Sequence, residues 1–162
     1  MALKSAFAQA DIKKVLDASL RNLRTEILQS MKKSGEESVR IARANADTID
    51  ASGKLAQSVG YVIVADGVIV AREFDRSADK PVEEHAANSS DSGQQATTNE
   101  ALAGEKLAES LAAQYSKGYA LIVVSGSAYA VEAESRSQDV LTSAEMYVGQ
   151  QLPKLLERLT QS

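Results

Sequence analysis

Few residues in this sequence have the types and spacing to do chemistry. Glu132 and Glu134 stand two apart, which on a strand places both on one face. Paired carboxylates can act as acid and base at separations of about 5–9 Å. No base, nucleophile or substrate-binding motif accompanies them, so a polar sheet face or an intersubunit charge contact is the plainer expectation. The single histidine is His85, in Glu83-Glu84-His85. Adjacent ligands point apart on a helix and lack the H-E-x-x-H spacing that gathers a metal site. A solvated acidic loop is expected there, or at most a cation bridging two copies. Ser125 and Ser127 flank Gly126, but G-x-S-x-G is absent, and the segment reads as a turn between strands rather than a nucleophile elbow. Ser52-Gly53-Lys54 is the tail of a phosphate loop without its first glycine. The chain has no cysteine, which removes disulfides, thiolate metal sites and a cysteine nucleophile. The expectation is no enzyme, no cofactor and no metal.

The charge balance narrows the partners. Net charge is −4 over 162 residues. Residues 1–54 carry ten Lys and Arg against seven Asp and Glu, and the remainder carries eight against fifteen. A mildly basic front and an acidic remainder do not make the strong basic patch of a nucleic-acid binder. No apolar run approaches the ~20 residues of a membrane span. Met1 to Asp11 lacks the apolar centre of a signal peptide. These features predict a protein made in the cytoplasm, without membrane contact, and carried elsewhere only inside a larger particle. Aromatics are only 4%, with no Trp, so the core is expected to be built from Ala, Val, Leu and Ile.

Periodicity then gives the elements, within a single domain over 1–162. Ile12, Leu16, Leu20, Leu23, Ile27 and Met31 recur at steps of four or three, the stripe of a long amphipathic helix over 1–33. Gly35 predicts a break. Ser34 and Glu37 match a capping box that would start a second helix over 34–50. Two β-branched runs around Asp66-Gly67 predict a tight hairpin over 59–74. Residues 75–98 are polar and aperiodic and read as a long loop or arm. Thr97 and Glu100 would cap a helix over 98–117, with Leu102, Leu107, Leu111 and Tyr115 inside. A second hairpin is expected over 119–134, turning at Ser125-Gly126-Ser127. A C-terminal helix is expected over 142–160, kinked or loosened at Pro153. The fold class expected is α+β: a four-stranded, mostly antiparallel sheet of two hairpins, with the long, middle and C-terminal helices packed on one face.

Two segments resemble a known family. Ala42-Arg43-Ala44-Asn45-Ala46 leading into Ser52-Gly53-Lys54-Leu55-Ala56-Gln57-Ser58 is similar to the A-R-x-x-A and S-G-x-L-x-x-S signature of HK97-type neck, or head–tail joining, proteins of tailed phages. Tyr129-Ala130-Val131-Glu132 is similar to that family's tyrosine segment. Asp47 replaces a common proline, and Glu132-Ala133-Glu134-Ser135 replaces E-x-G-T. The resemblance implies a virion protein forming a cyclic ring, six- or twelve-fold. The ring would sit between portal or adaptor and tail proteins, with DNA passing through unbound. On that reading the interaction residues are Ile12, Leu16, Leu23, Ile27, Arg43, Ser52, Gly53, Leu55, Asp79, Glu83, Tyr129, Glu132 and Glu134. The alternative class is a small cytosolic oligomeric binding module without catalysis, disfavoured by the scarcity of aromatics for a pocket.

Overall fold

The computed structural model describes residues 9–75 and 92–160. Its elements are α1 (Gln9–Ile49), α2 (Lys54–Gln57), β1 (Val59–Ala65), β2 (Val68–Glu73), α3 (Ser92–Ala112), β3 (Tyr119–Ser125), α4 (Ala128–Ser135) and α5 (Thr142–Thr160). The sheet has three strands in the order β2-β1-β3. Both neighbours run antiparallel to β1. This replaces the expected four-stranded sheet of two hairpins.

Only the first hairpin forms. Asp66 and Gly67 take φ of 50° and 83°, the left-handed pair that a two-residue turn between right-twisted strands requires. The segment expected as a fourth strand is α4. Ser127 caps it, its Oγ accepting from the Tyr129 N–H at 3.3 Å. Ala130 and Ala133, three apart, are its buried positions, packed with Ala46, Leu55, Ala56 and Val140. Val131, which strand alternation would place on one face with Ala133, is exposed. The alanines favour helix intrinsically, and the i, i+3 burial makes that preference decisive.

The helices cover both faces of the sheet rather than one. Val59, Tyr61 and Ile63 pack with Met31, Val39 and Ala42 of α1 and with Ala144 of α5. Val62 and Val64 pack on the opposite side with Ile122, Val124 and the α3 residues Ala108 and Ala112. Every residue of β1 is buried. Its unbroken apolar run is what a strand covered on both sides looks like in sequence.

α1 continues through Gly35 without a break. A Cβ on Gly35 would stand 2.9 Å from the Tyr61 ring, so the glycine is a notch that admits the ring beneath the helix. Ser34 is therefore mid-helix and buried rather than a cap. α3 begins at Ser92, before the expected Thr97 cap, and turns a different face inward. Its buried residues are Ala101, Gly104, Glu105, Ala108 and Ala112, while Leu102, Leu107 and Tyr115 are exposed. The reason is a close crossing: a Cβ on Gly126 would lie 2.0 Å from the Gly104 backbone nitrogen, and one on Gly104 2.4 Å from the Ser58 carbonyl oxygen. Leucines on that face would hold the helix off the sheet. Most of the expected 75–98 arm lies outside the described residues, and its end from Ser92 is helical. α5 runs through Pro153. The proline cannot donate to the carbonyl of Gly149, and both residues face solvent, where water satisfies that group.

Candidate assembly surface

Most of the polar residues singled out in the sequence hold the fold together. The Asp50 carboxylate gathers the Ser52-Gly53-Lys54-Leu55 turn: Oδ1 accepts from the Ser52 N–H at 2.9 Å and its hydroxyl at 2.6 Å, and Oδ2 from the Leu55 N–H at 3.0 Å. These donors, the Ser52 hydroxyl first, hold the Asp50 carboxyl below its ordinary range. Gly53 takes φ 73°, a conformation other side chains resist. Leu55 is fully buried and belongs to the core, not to a contact surface. Arg43 donates through Nε and Nη2 to the Val59 carbonyl at 3.3 and 3.0 Å, fastening α1 to the start of β1.

The Glu132 and Glu134 pair does not share a strand face, because the segment is helical. Glu132 pairs with Arg136 one turn on. Glu134 reaches across to the start of α5. Its Oε1 accepts from the Val140 and Leu141 N–H groups at 3.0 and 2.7 Å, and its Oε2 from the Thr142 hydroxyl at 3.1 Å. The Leu141 N–H is the main reason its carboxyl is held below the ordinary value. Asp139 completes the cap, accepting from the Ser143 N–H at 3.0 Å. Periodicity could not reveal Asp50 and Asp139 as anchors; the signal was an acidic residue just ahead of a helix, the usual N-cap composition.

The serine pair around Gly126 lies between a strand and a helix, not between two strands. The Ser58 Oγ is 2.7 Å from the Leu55 carbonyl and 2.7 Å from the Ser125 Oγ. With one proton per hydroxyl, Ser58 donates to Leu55 and Ser125 donates to Ser58. Both expected serines are thus engaged, Ser127 as the α4 cap. Among the described residues, no group of three or more His, Cys, Asp and Glu side chains gathers to hold a metal ion. Asp79, Glu83 and His85 lie outside the described residues. No helix among the described residues is long and apolar enough to cross a membrane.

The apolar residues behave in the opposite way. From Asp11 to Glu26 every residue of α1 is exposed, about 24 Å of helix, with the Arg24 guanidinium 3.9 Å from the Asp66 carboxylate at the hairpin turn. Its stripe carries Ile12 at 56%, Val15 at 67%, Leu16 at 57% and Leu20 at 56% exposure. Leu23 is also exposed, and Ile27 is the point where the stripe enters the core. Soluble proteins rarely leave such contiguous apolar surface uncovered unless it meets a partner. The body also has an open apolar groove between β3 and α5, lined by Leu121, Val123, Leu141, Ala144 and Val148, with Glu145 the charged residue on its wall. Tyr129 of α4 is partly exposed. No fourth strand among the described residues pairs with the free edges of β2 and β3.

Comparison of the chain with protein-family models, with curated proteins and with solved structures finds no match.

Proposed function

We propose that this chain is a structural subunit of a tailed-phage virion, assembling into a ring in the neck that joins head to tail and lets DNA pass. The observation that carries the reading is the contrast between its two kinds of candidate residue. The carboxylates and hydroxyls offered for chemistry are engaged in caps and turns, while large aliphatics on α1 stand in solvent. A protein that works through surfaces has that distribution, since ring subunits need complementary patches more than reactive groups. The Arg43, Ser52-Gly53-x-Leu55 and Tyr129–Glu132 segments that resemble the phage family hold one corner of the fold. There α1, α2 and α4 share a cluster around Ala46, Leu55 and Ala130. Such a corner can keep its residues while the surfaces around it diverge. The acidic balance of residues 55–162 suits a channel in which DNA phosphates find no counter-charge.

Negative-stain imaging of the purified full chain, alone and mixed with phage heads, tests the proposal. Closed rings with a central channel are expected. A chain that remains monomeric at tens of micromolar under both conditions would refute it.

A further inference from the structure

We draw no further inference here: the strongest candidate, the apolar stripe of Ile12, Val15, Leu16 and Leu20 on the exposed half of α1, carries none because nothing in the structure shows what covers it.

Discussion

Replacing Glu134 with alanine should lower stability by about 2 kcal/mol, the upper part of the range for loss of a helix N-cap. The magnitude follows from what the carboxylate does. It accepts from two backbone N–H groups and one hydroxyl at the start of α5, where orphan donors and the helix dipole favour negative charge. The site is half-buried, so water replaces part of what is lost. For a chain of this size each kcal/mol moves the melting temperature by about 2–4 °C, giving a fall of about 4–8 °C at pH 7. The pH dependence is a sharper check. The fold holds this carboxyl below its ordinary 4.5, so its contribution is complete above that value and disappears as pH falls through the lower, folded one. The gap between wild type and Glu134→Ala should therefore begin to close as pH falls below about 5 and be gone once pH lies below the folded value. Asp139 is depressed too, but it titrates in both proteins, and the difference isolates Glu134. Glu132→Ala is the control: an exposed i,i+4 pair contributes about 0.3–0.5 kcal/mol. Calorimetry across pH reads both. A Glu134→Ala protein that melts within a degree of wild type, or a Glu132→Ala protein that melts below Glu134→Ala, would refute the assignment of Glu134 as the α5 cap.

Two further outcomes follow from packing. Gly126→Ala places a methyl 2.0 Å from the Gly104 backbone nitrogen, with backbone on the far side that cannot rotate away, so it should cost about 3 kcal/mol or more. Gly149→Ala meets nothing within 4 Å and should gain about 0.5–1 kcal/mol from helix propensity; urea unfolding of the two proteins should shift in opposite directions. Ser34→Ala should stabilise by about 1 kcal/mol, because the buried Ser34 hydroxyl has no hydrogen-bond partner and carries its desolvation cost uncompensated. A midpoint for Ser34→Ala below that of wild type would show that the hydroxyl is satisfied.

The parts of the fold legible in the sequence are those set by local chemistry. Asp66-Gly67 between β-branched runs specifies a hairpin whatever surrounds it, and β1–β2 forms there. The stripe from Ile12 to Leu23 is helical by spacing alone, and α1 forms there. The misreadings share a physical cause. Gly35 and Gly126 read as a break and a strand turn when seen without neighbours, yet Gly35 lies inside a helix, Gly126 leads from a strand into one, and both are close approaches between layers. The face of α3 was misassigned because large residues were expected inside, whereas the close crossing at Gly104 leaves no room for a side chain and Ala101, Ala108 and Ala112 are buried on either side of it. Among the expected interaction residues, Leu55 and Arg43 are internal. Their motif looks the same whether it meets a partner or its own sheet, and only the fold distinguishes the two.

That inversion of size bears on the exposed half of α1. α1 is one helix of 41 residues with two side-chain vocabularies. Where it crosses the sheet, its buried residues are mostly small: Ser34, Gly35, Ser38, Ala42 and Ala46, with Met31 and Val39 among them. Where nothing covers it, the large aliphatics recur every turn: Ile12, Val15, Leu16, Leu20 and Leu23. A helix stabilised only by its own domain would place these the other way round, since buried aliphatics stabilise and exposed ones favour aggregation. The small residues draw α1 close to β1 and keep the body thin. The large ones suit an apolar surface on another molecule. If mutation of Leu16 and Leu20 to glutamate abolished assembly and left the melting temperature of the monomer unchanged, the stripe would be serving contacts between copies. If it lowered the melting temperature by several degrees, the stripe would belong to the fold of a single chain, and the assembly argument would fail with it.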